Sequence, residues 1–360
     1  MRIGLAYNQR PTTGSTSRDD EPPLHTPAAA SEAFVEWDEP ETIDAVERAL
    51  RPLGQVVRLE AIGDFAERLV RAEVDLLFNI AEGFAGPSRE AHVPAIAEFL
   101  GVPYTASDPL TLTLALHKAR AKEIFSARGI PTAPFVLLES DADLSRLNNR
   151  MPYPLFLKPV WEGSSKGIGQ SNFVPDRAAA LARARELLAT YEQPVLAEAY
   201  LPGDEFTVAV LGNGPSAHAL PIIRFRFDTL PPDALPIMGY EAKWVWDDPA
   251  APLDVLECPA RIPSALAERI VQTALAAARA LGCRDWARVD IRLDGRGTPN
   301  VVEVNPLPGV IPNPADNSCF PRAAAAAGMS YDELIQTVAR IAWRRITGRE
   351  LLITPAEAAA

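Results

Sequence analysis

Asp290, Glu303 and Asn305 are the residues of this chain whose types and spacing most directly permit chemistry. They lie in Ala287–Gly309, which reads ARVDIRLDGRGTPNVVEVNPLPG. Two apolar runs, Ala287–Leu293 and Asn300–Val304, flank a Gly-rich turn there, the pattern of a β-hairpin. Side chains two residues apart on a strand share a face, so Glu303 and Asn305 point the same way. Two carboxylates and a carboxamide on one apolar hairpin make an all-oxygen donor set, suited to a hard cation such as Mg²⁺ that holds nucleotide phosphates. A solvated acidic face is the plainer alternative, and the rigid ending Asn-Pro-Leu-Pro-Gly argues against it.

Other residues point to an anion. Lys158 ends an apolar run and opens KPVWEGSSKG, in which Gly163 and Gly167 allow a tight loop whose N–H groups face an anion. The Ser164 and Ser165 hydroxyls add donors, and Lys158 adds a point charge. No GK[ST] opens a helix at the required spacing, so this is not a Walker loop; taken alone, an ordinary Gly/Ser turn fits the same residues. Glu198–Glu205 (EAYLPGDE) joins two predicted strands. Its two terminal carboxylates and the backbone of Tyr200 and Leu201 suit an adenine edge and a pair of ribose hydroxyls, although a hairpin turn with solvated acids fits too. Lys118, on a predicted helix, reads in isolation as a surface lysine. The weight lies in the combination and its fixed order.

Composition narrows the partners. A chain of 360 residues can hold two or three subdomains. With 35 basic against 47 acidic residues, a net charge of -12, no surplus exists to neutralise nucleic-acid phosphates. Cys258, Cys283 and Cys319 are odd in number and lack metal-ligand spacing, as expected of reduced thiols in a cytosolic compartment. The start is not a signal peptide and no run of about 18 apolar residues occurs. A cytoplasmic protein with no membrane or nucleic-acid partner is expected.

The elements that must position these residues fall into three units. In 1–106, strands at Met1–Tyr7, Gln55–Leu59 and Val74–Ile80 alternate with helices, which implies a doubly wound parallel sheet. Residues 8–40 read as a long loop; a helix opens at Glu39-Pro40-Glu41 and continues through Ile43, Val46, Ala49 and Leu50. A helix at Ala91–Leu100 and a short strand at Pro103–Thr105 follow. The unit 107–214 holds one helix over Leu110–Arg128 with Lys118 on it. Strands at Phe135–Leu138 and Leu155–Pro159, a helix at Ala178–Thr190 and strands at Val195–Tyr200 and Glu205–Leu211 complete it. The unit 215–360 comprises the linker Phe225–Trp246, a helix at Ser264–Leu281, the hairpin and a helix at Tyr331–Ile346.

This order of motifs resembles the ATP-grasp superfamily and, within it, the D-alanine–D-alanine ligases. It is carried by GVPYTASDPLTLTLALHKARAK (101–122), PLFLKPVWEGSSKGI (154–168), VLAEAYLPGDEFTVAVLGN (195–213), YEAKW (240–244), DWARVDIRL (285–293), VVEVNPLPG (301–309) and SCFPRAAAAAGMSYDELI (318–335). The resemblance implies an α/β (α+β ATP-grasp) fold: an N-terminal parallel-sheet domain, a central α+β subdomain and a C-terminal antiparallel-sheet domain, with ATP between the last two. It implies that Lys118 and Lys158 contact ATP phosphates or adenine, that Glu198, Tyr200 and Leu201 line the adenine pocket, and that Glu205 holds the ribose. Ser165 would cover the γ-phosphate, with Lys243 approaching it from the linker. Asp290, Glu303 and Asn305 would ligate two Mg²⁺ ions, or Mn²⁺. Arg288 and the Gly309 N–H would stabilise an oxyanion, and Ser164 and Ser318 would orient the substrates. The implied reaction activates a carboxylate as an acyl phosphate and joins it to an amine, under a lid that excludes water; the linker Phe225–Trp246 is the candidate lid. The resemblance also implies a homodimer through the N-terminal unit.

Around the substrates the chain departs from that pattern. The family's His-Glu-Val-Ser motif is absent from residues 8–38, and NIAEGFAGPSRE (79–90) stands where the family has His-Gly. Glu82 then suits an ammonium and Arg89 a carboxylate, with Tyr240 a further substrate-side residue; Glu36, Asp38 or Glu39 would substitute for the missing glutamate. Trp244 occupies the position of a family tyrosine, and the segment from Gly309 to Ser318 is longer. The expectation is an ATP- and Mg²⁺-dependent ligase of a small amino acid or related acid with an amine. Its alternatives are a ligase for a different, specialised acid and a nucleotide-binding regulator without turnover.

Overall fold

Five consecutive residues of the first strand, Ile3–Tyr7, are buried, which is why this run is uniformly apolar instead of alternating. In the computed structural model, which describes residues 1–11, 34–244, 246, 253–313 and 316–351, that strand, β1 (Arg2–Tyr7), lies between two parallel neighbours, β2 (Gln55–Glu60) and β3 (Leu76–Asn79). The crossovers are α1 (Pro40–Leu50), with proline in its first turn and Ile43, Val46 and Leu50 inward, and α2 (Phe65–Ala72). After α3 (His92–Leu100), Tyr104 forms a single parallel bridge to Leu77 where a short strand was expected.

The continuous helix expected over 110–128 is instead two helices, α4 (Pro109–Leu116) and α5 (Lys118–Ala127). His117 interrupts them with ψ 86, and its Nδ1 caps the new helix by accepting from the Arg120 N–H at 3.3 Å. Lys118 thereby opens a helix. The central sheet is antiparallel, ordered β4 (Phe135–Leu138), β7 (Val195–Ala199), β5 (Leu155–Pro159), β6 (Phe173–Val174), and is covered by α6 (Arg177–Tyr191).

The C-terminal sheet runs β11 (Leu256–Glu257), β10 (Ile223–Phe225), β8 (Glu205–Leu211), β12 (Trp286–Leu293), β13 (Pro299–Asn305), with β9 (His218–Ala219) beside β8 and every pairing antiparallel. Both neighbours of β7 are already taken, so β8 does not turn back on it but joins the other sheet. The segment Glu198–Glu205 therefore crosses between sheets and is not a hairpin turn, and β8, which the sequence division groups with 107–214, pairs wholly within the C-terminal sheet. The linker Phe225–Trp246 begins at the last residue of β10 and carries, near its end, the short helix α7 (Tyr240–Trp244).

One face of this sheet packs Phe206, Val208, Val289 and Ile291 against Ile270, Ala274 and Ala277 of α8 (Ser264–Leu281). The opposite face is divided. At one end Trp286 meets Phe78 at 5.9 Å and Phe320 of α9 (Cys319–Ala326) at 5.7 Å, in a core shared with the N-terminal unit. At the other end the same face carries Glu205, Thr207, Arg288, Asp290 and Arg292. The last helix, α10 (Tyr331–Thr347), fastens the first unit to the third: the Gln336 amide donates to the Ala49 carbonyl at 2.9 Å, and Arg345 holds the fully buried Asp285 carboxylate at 2.8 Å. No helix among the described residues is long and apolar enough to cross a membrane.

Candidate active site

A cavity of about 690 Å³ opens beside the polar end of that sheet face, a volume suited to a nucleotide-sized ligand. Lys118, Lys158, Ser164, Ser165, Glu198, Tyr200, Leu201, Glu205, Arg288, Asp290, Glu303, Asn305, Gly309, Ser318 and Glu82 all line it. Arg89 and Tyr240 do not. Lys243 falls in α7, and its side chain lies outside the described residues.

The oxygen donors come together through a β-bulge. Asp290 pairs with Glu303 and Arg288 with Asn305, but Ile291 pairs with Val301, so Val302 is an extra residue on β13. That extra residue lets Val301 and Val304 both face α8 while Glu303 and Asn305 face the cavity. Asp290 Oδ1 accepts from Thr207 Oγ1 at 2.5 Å and from Arg288 Nε at 3.1 Å; its Oδ2 accepts from Arg288 Nη2 at 3.0 Å and from the Asn305 amide at 3.3 Å. The same amide lies 3.5 Å from Glu303 Oε1, and Lys118 Nζ lies 3.3 Å from Oε2. Burial alone would raise the Glu303 carboxyl, but Lys118, Lys158 and Arg288 outweigh it and hold it at about 2. Converging hard oxygens with an ionised carboxylate fit Mg²⁺. No group of three or more His, Cys, Asp or Glu among the described residues offers a competing metal site.

Lysines organise the adjoining wall. Lys118 Nζ also donates to the Glu162 carbonyl at 2.5 Å, at the start of the Gly/Ser loop. Glu198 is clamped by Lys158 at 2.6 Å and by Lys122 at 2.8 Å. Against the burial penalty, these two ammonium groups hold its carboxyl at about 2, while burial pulls Lys122 below the ordinary lysine value. Lys122 was not singled out in the sequence, although it stands four residues after Lys118 on a helical face. Thr207 and Arg292 were missed as well, each two residues from a chosen acid on its strand.

Consecutive left-handed residues, Ser164 (φ 47) and Ser165 (φ 62), shape the Gly/Ser loop at a cost of about 1–2 kcal/mol each. Ser165 Oγ donates to the Met238 carbonyl of the linker at 2.9 Å. An ion-pair cluster, of which Glu36 and Glu162 line the cavity, holds the loop. Glu36 accepts from Arg89 at 2.8 and 3.0 Å and from Lys166 at 2.8 Å, and Lys166 also meets Glu162 at 2.6 Å. A Cβ at residue 163 would collide with the Glu36 carboxylate and push it out of its ion pairs, which favours glycine here. Arg89, expected to meet a substrate carboxylate, instead spends its guanidinium on Glu36 and on the Trp161 carbonyl at 2.7 Å. Glu36 is equally committed, and of the three acids proposed to replace the family glutamate it is the one closed to an ammonium by two cations of the chain itself.

Asp38, Glu82 and Glu90 line the other end of the cavity. Burial, followed by the Glu90 and Glu36 carboxylates, raises Glu82 well above the ordinary carboxyl value. Burial also pushes Glu90 up to about 7 against the pull of Arg89, and Asp38 up to about 7 against Arg10. A carboxyl whose folded pKa exceeds its unfolded one stabilises the protein at low pH, and that contribution is lost as pH rises from about 4 to about 7. Glu90→Gln removes one such group. Its melting temperature relative to the wild type is expected to increase between pH 4.5 and 7.5, by thermal denaturation at both values; a constant difference would contradict the assignment.

Comparison with known proteins agrees with this geometry. The family profile for the D-ala D-ala ligase C-terminus matches residues 124–340. The D-alanine–D-alanine ligase of Bordetella petrii is 36% identical over 270 residues, 75% of this chain and 76% of that protein. An uncharacterized protein, y4sG of Sinorhizobium fredii, is 32% identical over 98% of this chain and 100% of its own. Among solved structures, the D-alanine–D-alanine ligase of Bacillus anthracis complexed with ATP has a TM-score of 0.68 at 22% identity, covering 96% of this chain and 98% of that one. The VanG D-Ala:D-Ser ligase of Enterococcus faecalis has a TM-score of 0.68 at 20% identity, covering 95% and 99%. Those two likenesses establish the fold, and the profile and the sequence relatives establish the lineage: the chain belongs to the D-alanine–D-alanine ligase family of ATP-grasp enzymes.

Proposed function

We propose that this protein is a cytoplasmic, ATP- and Mg²⁺-dependent ligase that joins the carboxylate of a small amino acid or related acid to an amine through an acyl phosphate. The observation that carries the reading is Lys118, which spans from the Glu303 carboxylate to the Glu162 carbonyl and so makes the oxygen donor set and the Gly/Ser loop one site. Asp290, Glu303 and Asn305 would hold Mg²⁺, which when bound neutralises phosphate charge. Lys118, Lys158 and the backbone around Ser165 would cradle the triphosphate, Lys243 would approach it from α7, and Tyr200, Leu201, Glu198 and Glu205 would hold the nucleoside.

A substrate carboxylate oxygen attacks the γ-phosphorus and ADP leaves. The amine nitrogen then attacks the acyl carbon, and Arg288, held by Asp290, and the Gly309 N–H steady the oxyanion. Phosphate departs, the nitrogen loses its proton and an amide remains. Ser164 and Ser318 would orient the reactants, with Tyr240 behind them, and Glu82, Glu90 or Asp38 would receive the ammonium.

One observation favours an acid other than D-alanine: Glu36, a candidate for the missing family glutamate, is already paired by Arg89 and Lys166. An ADP-release assay over a matrix of D- and L-amino acids as both acid and amine separates the cases. Turnover with D-alanine alone gives the named activity of the relatives. Turnover only with another pair gives the second reading, and no ADP across the panel supports a regulator that binds without turning over. A homodimer is part of the same proposal, and light scattering reads its mass.

A further inference from the structure

Arg292 follows Asp290 by two residues on β12 and is only 5% exposed, a costly position for a guanidinium unless its donors are met. They are met by two segments distant in the chain, Tyr200–Glu205 and the linker. Nε donates to the Leu201 carbonyl at 2.6 Å, and Nη1 to Glu205 Oε2 at 2.6 Å. Nη2 donates to the Tyr200 hydroxyl at 3.1 Å and to the Pro236 carbonyl of the linker at 2.8 Å. The guanidinium also lies over the rings of Tyr200 at 5.2 Å and Phe227 at 5.6 Å. Tyr200, Leu201, Glu205 and Arg292 itself all line the cavity. Beyond Pro236, the linker is fastened to the Gly/Ser loop: Met238 accepts from Ser165 at 2.9 Å and the Tyr240 N–H donates to Ile168 at 2.7 Å.

We infer that Arg292 is a positioning residue for the sugar end of the nucleotide. It turns Glu205 so that Oε2 is occupied and Oε1 is left to receive ribose hydroxyls, and through Pro236 it clasps the linker over that same end. The inference rests on the nucleotide reading above. A fixed, planar fork with donors for all four acceptors does this, whereas a lysine ammonium holds the charge without the fork. Burial raises the Glu205 carboxyl above its ordinary value, and the adjacent guanidinium opposes that rise only in part. The sequence already shows the residue's place on the Asp290 face but not its partners, which lie 56 to 92 positions away.

The test measures dissociation constants of Mg·ATP, Mg·2′-deoxy-ATP and Mg·3′-deoxy-ATP by calorimetry for the wild type, Arg292→Met and Arg292→Lys. Trypsin cleavage of the linker with and without Mg·ATP is followed in parallel. The wild type is expected to prefer ATP over each deoxy analogue by about tenfold, the lower end of the range for one hydrogen bond to a charged group. In R292M the preference should fall below threefold, with a linker that Mg·ATP no longer protects. R292K should keep an intermediate preference, a rescue that general destabilisation would not produce. Should R292M fail to fold, R292K carries the test alone. A sugar preference unchanged from the wild type in every variant that folds, or a wild type indifferent to both hydroxyls, overturns the inference while leaving ATP use intact. A wild type that binds no Mg·ATP overturns the ligase reading and this inference together.

Discussion

Glu303→Gln is expected to lower Mg²⁺-dependent ADP formation by about 10²–10³-fold, on the order of 3–4 kcal/mol of transition-state stabilisation. The substitution preserves shape and removes one of the two carboxylates that face each other across the bulge. It also deprives Lys118 and Arg288 of a counter-charge at 3.3 and 4.0 Å, so both cations relax away from the positions that phosphate transfer needs. Asn305→Ala should act in the same direction and more weakly, because it removes a neutral ligand. Some stability should be lost as well, because the carboxylate is ionised by its cationic neighbours, but less than at Glu198, since the Glu303 side chain keeps 24% exposure and Lys118 retains the Glu162 carbonyl. Steady-state ADP release against Mg²⁺ concentration, alongside a denaturation curve, reads both effects. Unchanged turnover in both variants would remove the metal assignment.

Glu198→Gln is expected to destabilise the fold by about 3–5 kcal/mol, because it strands two buried ammonium groups. Lys122 and Lys158 side chains are 1% and 4% exposed, and the carboxylate between them is their common anion. The depression of Glu198 from 4.5 to about 2 corresponds to about 3 kcal/mol by linkage, in agreement with that range. A lowered carboxyl pKa contributes stability above about pH 4.5 and loses it as pH falls toward 2, opposite in sign and separate in range from Glu90 and Asp38. Urea denaturation at neutral pH measures the loss, and a change below about 1 kcal/mol would show that the lysines find other partners. Glu198→Gln with Lys122→Met should recover part of the stability, because one of the two orphaned charges is then gone.

The residues read from the sequence divide along a physical line. Strands, crossover helices and the acidic hairpin were legible because periodicity and turn chemistry are local: Ile3–Tyr7 is buried as a run, and Asp290, Glu303 and Asn305 lie within one hairpin. The lysines at 118 and 158 and the Gly/Ser loop were legible from motif order. The break at His117 was not, since its cap depends on an imidazole turning onto the Arg120 N–H against a helical propensity that runs straight through. Nor was the sheet of β8, because an alternating strand specifies a face and not a neighbour.

The divide is sharpest among charged groups. Their type and approximate place belong to the chain, so Glu36, Arg89 and Glu82 could all be proposed around a substrate. Which of them remains available depends on ion pairs closed across long stretches of sequence. Glu36 meets Lys166 from 130 positions away, and Arg89 reaches Trp161 from 72. Coulombic attraction selects no sequence separation, and the low dielectric of the interior makes each such choice expensive to reverse. Local pattern thus settles which elements form and which faces are apolar. Packing of the three units settles which charges neutralise one another, and hence which are left for a ligand.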